Sequence, residues 1–407
     1  MRLEKCLACN SPKLITYLDL GEQPLANSYI KSPSDFEEQY PLAVAVCEDC
    51  FHSQLTVAVD PNLLYKNYLY ISGTSETLTR YFDWFVGFVE NRYPGRALKV
   101  LDIASNDGTL LSRFRLTNNK HNVIGVDPAQ NLLPLSREHG IDTICDYWSE
   151  EVSQEILDSR GQQDVVIAQN VLAHNSYPIS FLSNMKKILS PDGTIFLQTS
   201  QCEMFRRKEF DTIYHEHHSF FTLRSFVALV ESVGGLDIVD VKKVPIHGTS
   251  YLISIQHTDG AKPNDEVSKG LTAEADLYNS EYFKNYGAFV QNTVISTKKA
   301  IDAYRERGYT VCGYGAAAKG NTFLNYSKIS LDFIIDDSYL KWGMLTPGSH
   351  IPIVSPQHIS SIGRPLVVLI LAWNFKDEIV RKLKAVKQSG VEMLAVVYYP
   401  ELSEIVI

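Results

Sequence analysis

The chain reads as an α/β protein built in three parts, and three observations carry that reading. Two Cys-x-x-Cys pairs lie near its start, strands and helices alternate from about residue 98 to 258, and a Gly-x-Gly-x-x-Ala turn follows a short apolar strand at 313–318. At 407 residues the chain is too long for one ordinary core, so separate domains are expected at 1–80, 81–258 and 259–407.

Apolar residues make up 45% of the chain and charged residues 21%, the composition of a globular protein. The formal net charge of -9 presents a repulsive field to a polyanion, which argues against nucleic acid as a partner. The first residues, Met1-Arg2-Leu3-Glu4-Lys5-Cys6, lack the apolar core of a signal peptide. No stretch approaches the roughly 18 uninterrupted apolar residues of a membrane span. A cytoplasmic monomer acting on a small molecule, away from membranes, is therefore expected.

In the first part, Cys6-Leu7-Ala8-Cys9 and Cys47-Glu48-Asp49-Cys50 can each turn two thiolates onto one cation. Two such knuckles complete a closed tetrahedral zinc site, a better match to the spacing than redox thiols or chance. A closed site leaves no position for water, so the expected role is structural. Cys145, Cys202 and Cys312 are expected to be inert core thiols. The segment Tyr68-Leu69-Tyr70-Ile71-Ser72-Gly73-Thr74-Ser75 alternates aromatic and small polar residues. It suits either a surface that grips a polar ring or an edge strand with one buried face.

The middle part starts with a buried strand at Leu98–Ala104, which breaks into Ser105-Asn106-Asp107-Gly108 before a helix opening at Thr109. A second strand follows in Asn122-Val123-Ile124-Gly125-Val126-Asp127-Pro128, with Asp127 at its carboxyl end. An acidic residue there, roughly 20 residues past a glycine turn, is placed to accept hydrogen bonds from ribose hydroxyls. The first loop is not Gly-x-Gly-x-x-Gly; with Asp102, Asn106 and Asp107 it is acidic and unsuited to a pyrophosphate. It favours a cationic ligand, and S-adenosylmethionine carries a sulfonium and an ammonium without phosphate. Further strands at 164–170 and 193–198 and a hairpin from 236 to 256 imply a mainly parallel sheet with an antiparallel pair at one edge.

Ligands of such sheets bind outside the carboxyl ends of the strands. His174 follows the strand ending near Asn170, and the run Tyr214-His215-Glu216-His217-His218 follows the strand ending near Ser200, so both project from the cofactor edge. The run sits on a loop before a helix capped by Thr222 and ending at Gly234-Gly235. His215 and Glu216 are adjacent and lack the i, i+4 arrangement of a helical zinc site. Proton transfer fits better, because imidazole titrates near neutrality and a neighbouring carboxylate can orient it. The plain alternative is a half-buried polar loop with satisfied hydrogen bonds.

The last part opens with a polar helical region at 262–307, after which the strand Tyr309–Cys312 enters Gly313-Tyr314-Gly315-Ala316-Ala317-Ala318. Asp336-Asp337 follow the next strand, Leu331–Ile335, and together these read as a dinucleotide fingerprint. An NAD-dependent oxidoreductase is thus the rival reading. Glycines at a helix N-terminus bind any diphosphate, however, and Lys319 adds positive charge there. A scaffold that holds no ligand is equally compatible with the pattern. Leu366–Ala372 reads as a buried strand that delivers Trp373 and Asn374 to the edge of a crevice.

Taken together, these residues resemble the sugar C-methyltransferases that act on nucleotide-linked 4-keto-deoxyhexoses. The resemblance covers nearly the whole chain. It rests on both cysteine pairs, Gly21-Glu22-Gln23-Pro24-Leu25-Ala26-Asn27, Ser105-Asn106-Asp107-Gly108, Asn170-Val171-Leu172-Ala173-His174, Tyr214-His215-Glu216-His217 and the run Gly313 to Asn321. It implies a zinc-binding N-terminal domain, a central class I S-adenosylmethionine methyltransferase domain of Rossmann-like fold, and a C-terminal Rossmann-like domain. It further implies His217 as general base, assisted by Tyr214 and Glu216, with His174 in the same pocket. Cofactor contacts fall to Asp102, Ala104, Asn106, Asp107, Asp127, Pro128, Asp146 and Asn170. Contacts to a nucleotide sugar fall to Tyr68, Tyr70, Ser72, Lys319 and Asn321. Two departures, Gln198-Thr199-Ser200 for Glu-x-Pro and His247-Gly248-Thr249-Ser250 for His-Gly-Gly-Ser, bear on the acceptor and leave a non-sugar acceptor open. The chemistry is consistent with the loop. Bonding carbon to a methyl group needs a carbanion equivalent, which a base creates only beside a carbonyl, and the enolate then attacks the sulfonium methyl in line.

Overall fold

The computed structural model describes residues 1–65, 71–200, 202–246, 248–387 and 389–407. Strands β1 (Leu14–Gln23), β2 (Tyr40–Cys47) and β3 (Ser53–Leu55) form an antiparallel sheet in that order. Leu18, Leu20, Leu42 and Val44 are buried, but this sheet has too few large side chains for a core of its own. They share one cluster with Phe283, Tyr286 and Val290 of the long helix Ser280–Glu306 and with Val311 and Leu369 further on. Gly287 permits the approach, because a Cβ there would lie 2.3 Å from the Tyr17 carbonyl oxygen.

The central sheet contains β4 (Lys99–Ile103), β5 (Asn122–Val126), β6 (Thr143–Ile144), β7 (Gln163–Gln169) and β8 (Leu189–Thr199). The chain then makes a short β9 (Ser219–Phe220) and the hairpin β10 (Leu236–Val244) and β11 (Ser250–His257). The order is β10-β11-β8-β7-β4-β5-β6, parallel from β8 to β6, with β11 antiparallel to β8. Alternate residues serve opposite faces, as the two-residue period of a strand requires. Val100, Val165 and Ile167 pack with Phe85 and Phe114 of two helices, while Leu101, Val166 and Ala168 pack with Phe181 and Leu182 of another. Strand β9 does not join this sheet; it pairs with β3, Ser53 opposite Phe220 and Gln54 opposite Ser219.

The third sheet has β12 (Thr310–Tyr314), β13 (Ile334–Ile335), β14 (Ile353–Val354), β15 (Leu366–Ile370), β16 (Met393–Val397) and β17 (Ser403–Val406), in the order β14-β13-β12-β15-β16-β17. Only β17 runs antiparallel to its neighbour. Helix Ala318–Ser327 follows β12 directly, as the fingerprint predicts.

Three expectations change. Strand Leu331–Ile335 shrinks to its last two residues, since Asp332 accepts a hydrogen bond from the Val311 amide and turns the chain. Cys145 is exposed at the end of β6, whereas Cys202 and Cys312 are buried as expected. In the segment Tyr68–Ser75, residues 66–70 lie outside the described residues, and Ser72–Thr74 forms one turn of 3-10 helix instead of a strand. Among the described residues no helix is long and apolar enough to cross a membrane.

Candidate active site

A cavity of about 1180 Å³ opens at the carboxyl ends of the central strands. Single-ligand pockets span roughly 300–1,000 Å³, so this volume accommodates two reactants side by side. Its wall takes Asp60 and Tyr65 from the first part of the chain and Lys319, Trp373 and Phe375 from the last.

The cofactor-type half is shaped by the backbone. Ala104 (φ 61°), Asn106 (φ 52°) and Gly108 (φ 77°) occupy the left-handed region and curl the loop after β4 back on itself. The Asp127 carboxylate accepts from the amides of Asn106 and Ala129, both at 2.8 Å, which pins that curl. Burial raises the pKa of Asp127, and burial together with the Asp127 charge raises that of Asp102. Asp102, Ala104, Asn106, Asp127, Pro128, Asp146 and Asn170 all line the cavity. Asn170 Oδ1 and both amide atoms of Gln169 are buried without a protein partner. Raised carboxyl pKa values and orphaned amide atoms fit a cationic ligand that brings its own hydroxyl and ammonium donors. Asp107 stands behind the wall. It accepts from the Gly73 amide (2.9 Å) and the Thr109 amide (3.2 Å), and so holds Ser72, which does line the cavity.

The histidine-rich run forms two tight turns, Ile213 N–H to Phe210 O (3.0 Å) and His217 N–H to Tyr214 O (2.9 Å). Only one of its three histidines reaches the cavity. His217 Nδ1–H donates to the Thr212 carbonyl at 2.7 Å, which leaves Nε2 with its lone pair. The Tyr214 ring lies 4.2 Å and the His174 ring 5.0 Å from it, centroid to centroid. The Tyr65 hydroxyl donates to the Glu216 carbonyl (2.9 Å), so at His174 (3.1 Å) it accepts from Nδ1–H. Burial, then the neighbouring His174, drives the His217 pKa well below its usual value, and burial lowers His174 to about 4. Both rings are neutral at physiological pH.

The expected partnership of Glu216 with this imidazole is corrected: the carboxylate points away, accepts from Asn27 at 2.6 Å and is not on the cavity wall. A backbone carbonyl, that of Thr212, orients the ring instead. His215 turns to the Tyr40 carbonyl (3.2 Å), and His218 to the Ser176 hydroxyl (3.0 Å).

From the last part of the chain, Lys319 lines the cavity with its ammonium 4.8 Å from the Trp373 ring centre. Asn321 does not line it; fully buried, it donates to the Ala26 carbonyl at 2.8 Å. The dinucleotide fingerprint is consumed internally. Asp336 accepts from the amides of Ala316 (2.8 Å) and Ser338 (2.9 Å), and the Tyr29 hydroxyl and Lys341 ammonium both donate to the Ala316 carbonyl at 2.6 Å. The carboxylate that would read a ribose is committed to its own loop, and Tyr29, from the connection between β1 and β2, covers the turn. Tyr68 and Tyr70 lie outside the described residues. Sequence reasoning missed Tyr65 and Thr212. No local pattern marks a lone tyrosine, and Thr212 acts through its carbonyl, which residue identity does not report.

The sulfurs of Cys6, Cys9, Cys47 and Cys50 all lie within 4.8 Å of one another, with Cys6–Cys50 at 3.5 Å and Cys9–Cys47 at 3.6 Å. Zinc–thiolate bonds of about 2.3 Å in a tetrahedron set sulfurs about 3.8 Å apart, so this donor set fits zinc. The second knuckle leads into β3, whose partner β9 begins one residue after His218. The Leu55 amide also donates to the His218 carbonyl at 3.0 Å.

The strand order, the acidic crevice at the carboxyl edge and a neutral imidazole facing it define a methyltransferase-type domain between a cysteine-clipped sheet and a second α/β unit. Known proteins agree in the same order along the chain. Residues 6–65 match a family model for a zinc binding domain, 75–240 one for a methyltransferase domain, and 245–398 one for a C-methyltransferase C-terminal domain. The C-methyltransferase NovU of Streptomyces niveus is 28% identical over 398 residues, covering 95% of this chain and 94% of the relative. A ubiquinone biosynthesis O-methyltransferase of Dinoroseobacter shibae is 26% identical over 181 residues, 41% of this chain and 71% of that protein. The plantazolicin methyltransferase BpumL in complex with SAH overlays with a TM-score of 0.37 at 13% identity, covering 46% of this chain and 87% of the other. The three matches in succession and the relative that spans the chain mark it as an S-adenosylmethionine-dependent C-methyltransferase.

Proposed function

We propose that the enzyme methylates a carbon adjacent to a ketone on a nucleotide-linked 4-keto-deoxysugar, with His217 as the general base. The observation that carries this reading is the His217 imidazole, held by Nδ1 on the Thr212 carbonyl and neutral by burial, on the wall of a cavity large enough for two reactants. When bound, S-adenosylmethionine supplies the electrophilic methyl group. Asp102, Asp127 and Asp146 favour its cationic end and its ribose, and Asn170 supplies an unpaired acceptor. The Nε2 lone pair of His217 takes the proton next to the carbonyl. Positive charge then develops on the ring beside the negative charge on the enolate, and the Thr212 carbonyl stabilises the imidazolium through the Nδ1–H bond. The Tyr214 hydroxyl is the donor for the enolate oxygen, and Tyr65 keeps His174 in its Nδ1–H form. Lys319 receives the acceptor's diphosphate, and Ser72 contacts the sugar; Tyr68 and Tyr70, outside the described residues, are the remaining candidates for sugar contacts.

The four cysteines hold one structural zinc, and the functional divisions follow 1–80, 81–258 and 259–407. The test is direct. The purified protein is incubated with S-adenosylmethionine and a panel of nucleoside-diphosphate 4-keto-6-deoxyhexoses, and a product heavier by about 14 Da, one hydrogen exchanged for methyl, is the expected outcome. In deuterated water, with S-adenosylhomocysteine in place of the methyl donor, the wild type exchanges deuterium into the acceptor and His217→Ala does not. Exchange undiminished in His217→Ala would remove this base from the mechanism.

A further inference from the structure

The C-terminal unit meets the start of the histidine loop at a buried carboxylate. Asp211 is 1% exposed, and its Oδ2 accepts two hydrogen bonds of 2.6 Å, one from the Trp373 indole N–H and one from the Tyr398 hydroxyl. Trp373 follows β15 and Tyr398 follows β16, so both donors come from the carboxyl edge of the third sheet. Asp211 Oδ1 has no partner. The next residue in the chain is Thr212, whose carbonyl receives His217 Nδ1–H at 2.7 Å. The doubly hydrogen-bonded carboxylate thus belongs to the residue just before the acceptor that sets the imidazole's tautomer and direction.

A carboxylate with two short donors on one oxygen is a stiff post, because hydrogen bonds to a charged acceptor are roughly twice as strong as neutral ones. The Thr212 carbonyl lies in the following peptide plane, Thr212–Ile213, whose Ile213 amide closes a turn on the Phe210 carbonyl at 3.0 Å. The post anchors Asp211 inside that turn, and the turn passes the restraint on to the carbonyl. The Thr212 hydroxyl is buried without a partner, so no side-chain hydrogen bond of its own holds this residue. Phe323 stacks on Tyr398 with ring centroids 4.0 Å apart, which fixes the donor in turn. Phe323 belongs to the helix that also carries Lys319, a cation on the cavity wall.

We propose that Asp211 is a positioning residue for the general base, through which the C-terminal sheet holds the Thr212 carbonyl and hence His217 in working orientation. The C-terminal unit then has a task in methyl transfer that requires no nucleotide in its own fingerprint. This inference rests on His217 being the base, and its test separates the two.

The full chain, labelled with 15N-histidine, is examined by long-range proton–nitrogen NMR with S-adenosylhomocysteine added, and the His217 signals are assigned by their loss in His217→Ala. Wild type is expected to show the Nδ1–H tautomer. Asp211→Asn removes the charge, and Tyr398→Phe removes one donor from a residue that does not line the cavity. Both should mix the tautomers and lower kcat and the deuterium-exchange rate by about 10-fold to 100-fold, the usual cost of a disturbed supporting shell. The acceptor KM and the affinity for S-adenosylhomocysteine should stay within about twofold, since neither residue touches those ligands. The double variant should be no worse than Asp211→Asn alone, because both act through one oxygen. If Tyr398→Phe and any folded Asp211→Asn protein keep the wild-type tautomer and exchange rate while melting earlier, Asp211 merely joins two domains and the proposal falls. Exchange that survives His217→Ala overturns the base assignment, and this role with it.

Discussion

Acidifying the protein from pH 7.5 to pH 5.0 should loosen the joint between the cysteine-clipped sheet and the histidine loop, and His52 is where the effect can be read. His52 is fully buried on the turn between β2 and β3, its Nε2 lies 3.1 Å from the Ser219 hydroxyl on β9, and its Nδ1 has no partner. Burial lowers its pKa to about 3. The unfolded chain, with an imidazole pKa near 6.5, therefore takes up the proton first. Stability from this residue is complete above about pH 6.5 and drains as pH falls toward the folded-state value. At pH 5.0 the shortfall is about 1.5 pH units, or about 2 kcal/mol at about 1.36 kcal/mol per unit. Other buried groups titrate too: burial lowers His174, His215 and His218 to about 4 and raises Asp102 and Glu209. The clean measurement is therefore a difference. Urea denaturation of wild type and His52→Gln at both pH values should show the wild type losing about 2 kcal/mol more, because glutamine keeps the hydrogen-bond reach to Ser219 and cannot titrate. Equal losses in the two proteins would refute the argument that His52 stays neutral at its buried site.

Elemental analysis should find one zinc per chain, and Cys47→Ser should release it and weaken methyl transfer, because the second knuckle feeds β3 and the β3–β9 pair; a metal-free wild type would sink this expectation. Asp127→Ala should cost S-adenosylhomocysteine binding about 1.5 to 3 kcal/mol by calorimetry, since it deletes a charged acceptor and frees the Asn106 and Ala129 amides. NADH binding in place of S-adenosylhomocysteine would reverse the cofactor assignment. Tyr65→Phe should lower kcat about 10-fold with little change in cofactor affinity, because His174 loses the partner that fixes its tautomer. Thr222→Ala should destabilise by about 1 kcal/mol, the cost of a lost cap, as a shifted thermal midpoint would show.

Much of the architecture was legible because periodicity and punctuation report it. The cap at Thr222, the stop at Gly234 and the continuous apolar runs of β4 and β7 are local signals, and the capping box and the burial of both strand faces follow from them. The cysteine pairs were legible because metal chemistry demands a spacing. Asn321 and Asp107 mark the limit. Each has the residue type of a ligand contact, yet one spends its amide on Ala26 and the other its carboxylate on Gly73. Type alone does not reveal which side of a wall a side chain faces. Glu216 is the same case, because adjacency to His217 along a tight turn sends the two side chains in different directions. The sequence marks 313–318 as a turn, but Tyr29, which covers it, lies 287 residues away along the chain.

Strand β9 is a loan. The chain leaves the central sheet after β8, gives two residues to the sheet of the cysteine clip, and returns as a helix, so the histidine loop is stretched between foreign supports at both ends. Asp211 ties its beginning to the third sheet, and Ser219 ties its end to the first. The reacting machinery is thus folded by the assembly and by no single unit. A fragment limited to the central sheet would keep its acidic crevice but hold His217 on a slack tether. Exchanging either flanking unit for that of a distant relative would disturb catalysis before it disturbed cofactor binding.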